Sequence, residues 1–198
     1  MPDVVMLDSG GTNLASVRFA FERLGVSAEL SRDPERIRRA SHVVLPGVGA
    51  AGPGMQRLRE SGLDRLIPTL TQPVLGVCLG MQLLFESSEE GDTACLGILS
   101  GRLRRFDEAR CGRVPHMGWN RIDTRRALPL LDGLGADAFA YFVHSYAAPL
   151  TEDTVASCDY GGAFAAVVSK GNFHGAQCHP ERSASVGARL LANFLELR

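Results

Sequence analysis

A cysteine with a glycine two positions to either side stands in the segment Gly76-Val77-Cys78-Leu79-Gly80. This is the spacing of a nucleophile elbow, a strained turn between a strand and a helix. Glycines suit such a turn because its backbone packs closely against neighbouring elements. The helix dipole favours the thiolate, and the amide of Leu79 is placed to stabilise an oxyanion. From this motif alone, a core cysteine is an equally good interpretation.

A thiolate nucleophile needs a base, and one of the five histidines has a suitable setting. His179 ends a predicted strand, and Pro180 and Glu181 follow at once. Proline stiffens the chain there, and the carboxylate of Glu181 can hold the imidazole in one orientation. Cys78, His179 and Glu181 then form a nucleophile, a base and an orienting acid. Neighbouring Cys178 is a rival nucleophile, but strand alternation directs it to the opposite face, into the core.

A glycine-rich segment follows the third predicted strand, with four glycines from Gly47 to Gly54. We expect its backbone amides to turn toward the elbow and complete an oxyanion hole, since glycine permits peptide orientations that other residues resist. A flexible loop is the alternative. A phosphate loop is excluded, because no Gly-Lys-Ser/Thr follows and the helix predicted to open at Pro53 lacks the required lysine.

Strands and helices that must position these residues alternate in the first half of the chain. Apolar runs of strand type, separated by helical segments, lie at residues 4–7, 26–30, 42–46 and 73–77. This alternation is typical of a parallel sheet with helices on both faces. Ligands bind such a sheet outside the carboxyl ends of its strands, which is where Cys78 lies.

From residue 101 onward, short strands and turns replace the alternation and indicate antiparallel hairpins. An amphipathic helix, begun at or near Ser183, closes the chain. The sequence shows no internal repeat and no linker. It therefore predicts one α/β domain over residues 1–198, with a central mostly parallel sheet flanked by helices and an antiparallel extension.

Composition argues against several classes of function. The net charge is −1, with 21 basic and 22 acidic residues interspersed. Nothing in this charge pattern therefore suggests electrostatic binding to nucleic acid or to a membrane. The five cysteines form no CxxC pair, which argues against a disulfide framework or structural zinc and favours a reducing compartment. We find no secretory signal and no membrane-spanning run. We expect a cytoplasmic protein that needs no metal or cofactor.

Five segments together resemble the class I, or triad-type, glutamine amidotransferase family: GVCLGMQLLFESSEEG, LPGVGAAGPGM, VPHMGWN, YFVHSYA and GAQCHPERS. The elbow and the His-Pro-Glu motif are typical of the whole family. The segments PGVGAAGPGM and PHMGWN resemble its subfamily of glutaminase subunits of imidazole glycerol phosphate synthase. The resemblance runs from the first predicted strand to the last helix.

The resemblance implies a glutaminase. Cys78 attacks the side-chain amide of glutamine, ammonia leaves, and water resolves the glutamyl thioester to glutamate, with His179 shuttling the proton and Glu181 orienting it. The implied oxyanion hole comprises Gly47, Val48, Gly49 and Leu79. The implied glutamine pocket comprises Gly49, Gln82, Glu90, His144, Ser145 and Tyr146. Glu90 suits the ammonium group, and ordinary hydrogen bonding within the fold is the alternative for each pocket residue.

The subfamily also implies a partner. Ammonia passes to a (βα)8-barrel cyclase subunit, which makes imidazole glycerol phosphate and an aminoimidazole carboxamide ribotide in histidine biosynthesis. The implied heterodimer interface comprises Asn13, Trp119, Asn120, Tyr141 and Arg182. Trp119 suits an interface anchor, and core burial is its alternative. The alternatives for the whole chain are an amidotransferase for anthranilate or pyridoxal phosphate synthesis, a stand-alone cysteine hydrolase, and an inactive binding subunit.

Three departures from the family pattern stand out. Cys178 replaces an aromatic residue before the histidine, and Arg182 replaces a lysine after the glutamate. The segment DSGGTN (8–13) replaces D-x-G-x-G-N, although Asn13 is kept. The arginine keeps the charge but changes its geometry, so it bears most on the partner interface.

Overall fold

The structure is a computed structural model that describes residues 2–8 and 13–198. Residues 9–12, most of the departing DSGGTN segment, lie outside the described residues. The strands of the first half are β1 Val4–Leu7, β2 Ala28–Ser31, β3 His42–Gly47 and β4 Val74–Cys78. The helices between them are α1 Leu14–Arg23, α2 Pro34–Arg39, α3 Ala51–Glu60 and α4 Leu63–Leu66.

The second half is mainly strands. It comprises α5 Leu79–Leu83, β5 Phe85–Ser88, β6 Thr93–Ala94, β7 Leu99–Arg105, α6 Glu108–Cys111, β8 His116–Arg121, β9 Asp123–Thr124, β10 Phe139–His144, β11 Tyr146–Ala147, β12 Thr154–Asp159, β13 Ala163–Lys170, β14 Phe173–Ala176 and α7 Ala184–Glu196. Single 3₁₀ turns occur at Ile67–Thr69, Glu90–Asp92, Pro129–Leu131 and Pro180–Arg182.

Local chemistry explains where two helices begin and end. The side chain of Asp33 accepts a hydrogen bond from the backbone N–H of Glu35, and Pro34 occupies the first position of α2. Helix α1 ends just before Gly25, whose φ of 78° suits a glycine that follows a helix. Residues next to each of these two termini therefore set where the helix stops or starts.

The main sheet has the order β2-β1-β3-β4-β14-β13-β12-β9 among the described residues. Neighbouring strands from β2 to β14 are parallel, and the remaining pairs are antiparallel. This confirms an α/β fold with a mostly parallel sheet and an antiparallel extension. Strands β8 and β10 form a separate antiparallel pair, and β11-β7-β5-β6 form a third sheet.

Two apolar layers cover the main sheet. Alternate residues of β1 face opposite layers, with Val4 and Met6 in one and Val5 and Leu7 in the other. Helices α1 and α7 pack on the first layer, and α2, α3 and α4 pack on the second. Among the residues described, no helix is both long and apolar enough to cross a bilayer.

Strand order brings the candidate catalytic residues together. Strands β4 and β14 are parallel neighbours, with Val77 opposite Ala176. Cys78 is the last residue of β4, and the chain reaches His179 three residues after β14 ends. Since parallel neighbours end at the same edge of a sheet, this register places the cysteine and the histidine on one edge.

Candidate active site

The turn at Cys78 has the backbone of a nucleophile elbow. Cys78 has φ 53° and ψ −110°, a positive-φ conformation that is uncommon for any residue other than glycine. A Cβ on Gly80 would overlap the carbonyl oxygen of Leu45, and one on Gly76 would lie 2.7 Å from the backbone of Gly80. Both glycines are therefore required by close backbone packing, as the sequence predicted. The helix that follows, α5, is only five residues long.

His179 and Glu181 form a buried pair beside the elbow. The Nδ1 atom of His179 lies 2.8 Å from Oε1 of Glu181, and their side chains are 4% and 2% exposed. Asn13 donates a second hydrogen bond to the same Oε1 atom, at 2.7 Å. The Nε2 atom of His179, on the far side of its ring, is buried and has no hydrogen-bond partner in the described structure. It is thus available to a reacting group.

Backbone contacts fix the position of His179 beyond the end of its strand. The sequence predicted that the strand continues to His179, and this was wrong, since β14 ends at Ala176. Instead, the backbone N–H of His179 donates to the carbonyl of Tyr141 in β10, at 2.9 Å. The hydroxyl of Ser183 donates to the carbonyl of His179 at 2.7 Å and accepts from the N–H of Tyr141 at 2.9 Å.

Charge, rather than burial, decides the protonation of this pair. Burial alone would lower the pKa of His179, but the Cys78 sulfur and the Glu181 carboxylate outweigh it and raise the pKa of His179 to about 10. For Glu181 the directions are reversed. Burial alone would raise its pKa, but the hydrogen bonds from His179 and Asn13 and the charge of His179 lower it. At neutral pH, His179 is therefore an imidazolium ion beside the Cys78 sulfur.

A cavity of about 510 Å³ opens above the elbow. It is lined by Asn13, Val48, Gly49, Cys78, Leu79, Gln82, Glu90, Pro115, Val143, His144, Ser145, Tyr146, His179 and Arg182. All six residues predicted for the glutamine pocket line it. Glu181 lies behind His179 and does not line the cavity. Gly47 does not line it either; this glycine packs under Leu79, and a Cβ added to it would lie 3.1 Å from the amide nitrogen of Gly80.

The glycine segment contributes a shorter loop than the sequence predicted. Helix α3 begins at Ala51, not at Pro53, so Gly52 and Gly54 belong to the helix. Oε2 of Glu90 accepts a hydrogen bond from the N–H of Ala51 at 2.7 Å and ties the start of α3 to a distant turn. Of the loop that remains, Gly49 has φ 96°, a conformation open to glycine. The oxyanion role of this loop stays a prediction.

His144 lines the cavity, and its ring packs against those of His116 and Phe142, which do not line it. Nδ1 of His144 lies 2.9 Å from the carbonyl of Tyr146, so it carries the proton, and Nε2 is left as a buried acceptor without a partner in the described structure. Burial lowers the pKa of His144 to about 3. The ring of His116 stacks between those of Tyr160 and Phe142, with centroid distances of 4.1 Å and 5.1 Å. Burial lowers the pKa of His116 to about 4. We call His144, with His116 behind it, the neutral wall, and Cys78 and His179, with Glu181 behind them, the triad wall. Of these residues, His144, Cys78 and His179 line the cavity.

A model of the family described as glutamine amidotransferase class-I matches residues 5–197.

The chain belongs to the class-I glutamine amidotransferase family.

Full-length relatives carry a more specific name. The amidotransferase is 57% identical over 197 residues to imidazole glycerol phosphate synthase subunit HisH of Xanthomonas axonopodis pv. citri, covering 100% of this chain and 98% of the relative. It is 55% identical, with the same coverage, to the HisH subunit of Xylella fastidiosa strain Temecula1.

Solved structures agree with the fold. A crystal structure of a glutamine amidotransferase has a TM-score of 0.74 at 21% identity, covering 98% of this chain and 97% of the other. A glutamine amidotransferase from Thermotoga maritima has a TM-score of 0.66 at 18% identity, covering 98% of this chain and 80% of the other. These similarities concern the fold alone.

The residues predicted for the partner interface of the amidotransferase fall into two groups. Trp119 is 53% exposed, its ring lies 6.1 Å from that of Tyr141, and the Arg182 guanidinium lies 5.4 Å from the same ring. Asn120 instead turns inward and donates to the carbonyl of Asp159 at 2.8 Å. Asn13 lines the cavity and binds Glu181. An interface role for each of these residues stays a prediction.

Several site residues of the amidotransferase were missed by sequence reasoning. Pro115 and Val143 line the cavity, and His116 forms part of the neutral wall. Gln177 is fully buried and contacts Cys78. Its only local signal is a polar residue inside the otherwise apolar stretch before His179. The partner of Asn13 had no local signal at all, because Glu181 is 168 residues away.

Proposed function

We propose that this amidotransferase is the glutaminase subunit of an imidazole glycerol phosphate synthase, with Cys78, His179 and Glu181 as its catalytic triad. It hydrolyses glutamine to glutamate and ammonia and supplies the ammonia to a cyclase subunit in histidine biosynthesis. The observation that carries the proposal is the buried His179–Glu181 pair, with its hydrogen bond of 2.8 Å, beside a strained cysteine that lines a cavity. The full-length HisH relatives support the pathway.

The reaction follows from the charges at the triad. The Cys78 thiolate attacks the side-chain carbonyl carbon of glutamine, and the carbonyl oxygen takes the negative charge. His179, resting as an imidazolium ion, gives its proton to the departing amide nitrogen, so ammonia leaves and a glutamyl thioester remains. The neutral imidazole then takes a proton from water, which attacks the thioester. Glutamate leaves, and the thiolate and imidazolium are restored.

The oxyanion and the amino-acid group of the substrate need separate partners. We assign the oxyanion to the amides of Leu79 and of Gly47–Gly49, because Leu79 begins α5 and Val48 and Gly49 line the cavity. One oxygen of Glu90 already holds Ala51, and we assign the ammonium group of glutamine to the other. Nε2 of His144 has no partner among the described residues, and we assign it as an acceptor for a second N–H of the substrate.

The partner is a cyclase subunit, for which we propose a (βα)8-barrel fold. Strand alternation places exposed Met117, Trp119 and Phe139 on one face of the β8–β10 pair, beside the cavity-lining Arg182. An exposed aromatic cluster of this kind suits an interface. The cytoplasmic location predicted from the sequence stays a prediction.

We further propose that the isolated chain is nearly idle and that the partner activates it. Apart from the Leu79 amide, the proposed oxyanion donors lie on the loop before α3, whose glycine at position 49 permits the peptide to reorient. Glutamine hydrolysis, measured with and without the nucleotide-bound cyclase, is expected to rise by about two orders of magnitude or more, the worth of an oxyanion-hole donor. Full activity of the isolated chain would contradict the gating, while leaving the glutaminase assignment intact.

A matched substitution tests the glutaminase assignment itself. Cys78→Ala is expected to abolish hydrolysis in the presence of the partner, whereas Cys95→Ala, away from the cavity, leaves it unchanged. Normal turnover by Cys78→Ala would overturn the assignment. Co-purification of a barrel cyclase, rather than an anthranilate or pyridoxal phosphate enzyme, distinguishes this glutaminase from others of its class.

A further inference from the structure

Gln177 is a fully buried polar residue directly behind the nucleophile. It has no exposed surface and does not line the cavity. Its Nε2 atom lies 3.8 Å from the sulfur of Cys78, and its Oε1 atom lies 2.9 Å from Nε2 of Gln82. A buried amide is costly unless its polar atoms find partners. Here, one of those partners is the reacting atom itself.

The polarity of this contact is fixed by a backbone carbonyl. Nε2 of Gln82 lies 2.8 Å from the carbonyl oxygen of Tyr146, which can only accept. The group of Gln82 that faces it must therefore be the NH₂ group, and the same NH₂ group faces Gln177. The Gln177 atom at that contact must then be the oxygen. Its own NH₂ group is left to face the sulfur of Cys78.

Reversing the two amides would break the arrangement. A reversed Gln82 would set its oxygen against the carbonyl of Tyr146, and a reversed Gln177 alone would set two NH₂ groups against each other. The order Tyr146 carbonyl, Gln82, Gln177 and Cys78 sulfur thus has one self-consistent direction. It ends with an N–H donor aimed at the sulfur, whichever way each amide is first placed.

We propose that Gln177 is a catalytic residue, whose side-chain N–H donates to the sulfur of Cys78, stabilises its thiolate and holds it toward the cavity. A donor to a charged sulfur favours the thiolate over the thiol. Gln82 acts as a positioning residue that keeps Gln177 in this orientation. The catalytic role rests on the proposed glutaminase function, but the effect on the thiolate does not depend on glutamine.

Other groups face Cys78 and set the background for this effect. His179 is the cation beside the sulfur, with Glu181 behind it. Cys178 is also close enough to feel the charge of Cys78, and burial raises the pKa of Cys178 to about 12, so it stays a neutral thiol. Gln177 is thus an uncharged donor whose contribution adds to that of His179. A substitution that keeps its size isolates the hydrogen bond from the charges.

The test is the pH profile of Cys78 alkylation by iodoacetamide in the full chain, followed on the Cys78 peptide by mass spectrometry. Gln177→Met keeps the length of the side chain but removes the donor. We expect its profile to move up by about one pH unit, so that alkylation slows about tenfold at pH values below the midpoint of the wild-type profile. Gln72→Met is the matched control, because Gln72 lies before the amino end of β4 and bonds to Ile37. Its profile should coincide with that of the wild type.

A second variant protects the test against a folding failure. Gln82→Met leaves Gln177 in place but removes the donor that orients it, and we expect a smaller shift in the same direction. Profiles of folded Gln177→Met and Gln82→Met that coincide with the wild type would overturn the proposal. If the Gln177→Met profile shifts but the wild type does not hydrolyse glutamine even with its cyclase partner, the proposed function is refuted. The contact between Gln177 and the thiolate would still stand.

Discussion

The two walls of the cavity bury the same residue type with opposite results. On the triad wall, the imidazole of His179 has a pKa raised to about 10. On the neutral wall, the pKa of His144 falls to about 3 and that of His116 to about 4. These three residues are only 3%, 7% and 3% exposed, so burial does not distinguish them.

The difference lies in their neighbours. His179 lies between a carboxylate and a sulfur, whereas His144 has a backbone carbonyl and His116 has aromatic rings. The negative charges beside His179 offset the free-energy cost of burying a cation. A carbonyl dipole or the π faces of aromatic rings offset only part of that cost. One wall can therefore move a proton near neutral pH, and the other can only offer hydrogen bonds to a substrate.

The largest expected effect on this contrast comes from a pair of matched histidine substitutions. His179→Asn is expected to lower kcat for glutamine by about 10³-fold, since a positioned acid–base group contributes 10²–10⁴-fold. His144→Asn is expected to raise KM with a much smaller change in kcat. Steady-state kinetics with the cyclase partner present measure both. Equal losses of kcat in the two variants would remove the functional distinction between the walls.

The next test removes the charge but keeps the shape of the triad wall. Glu181→Gln still offers an oxygen to His179 and Asn13, but it no longer stabilises the imidazolium. We expect kcat to fall by about 10²-fold, less than the loss of the proton carrier itself. Glu60→Gln, a distant carboxylate that binds Gln56, is the control and should behave as the wild type. Wild-type turnover by Glu181→Gln would show that charge on this wall is dispensable.

Stability at acidic pH is predicted to report the neutral wall. Because the folded pKa of His144 lies below the unfolded value of about 6.5, the unfolded chain binds more protons below pH 6.5, and stability is lost as pH falls. At pH 5 this amounts to about 2 kcal/mol for one histidine. Chemical denaturation at pH 7 and pH 5 should show a smaller loss for His144→Asn than for the wild type. An identical loss would contradict the low pKa.

Stability at alkaline pH is predicted to report the triad wall with the opposite sign. The folded pKa of His179 lies above its unfolded value, so its contribution is fully present below pH 6.5 and is lost as pH rises toward 10. Cys78 is replaced by alanine in both chains, so that a proton exchanged between its sulfur and His179 cannot mask this loss. We expect Cys78→Ala to lose more stability than Cys78→Ala/His179→Asn between pH 6.5 and pH 9, because Glu181 still stabilises the imidazolium. The same denaturation series extended upward measures this. Parallel profiles for the two proteins would argue against a charged His179.

The parts of this site that could be predicted from the sequence are those whose residues lie close together in the chain. The elbow needs Gly76 and Gly80 at fixed spacing, and the glutamate stands two residues from its histidine. The start of α3 was predicted two residues late, because the contact that holds Ala51 comes from Glu90, 39 residues away. Likewise, nothing local reveals that Gln177 touches Cys78, since strand pairing of β4 with β14 creates that contact.

The central claim is that Cys78 on the triad wall carries the glutamyl group during turnover. Acid-quenching the reaction of glutamine with the full chain and its cyclase partner, followed by mass analysis of the Cys78 peptide, tests this most directly. The account predicts a glutamyl adduct on Cys78 in the wild type, and neither adduct nor turnover in Cys78→Ala. Turnover that persists in Cys78→Ala, or an adduct on any other residue, would contradict it.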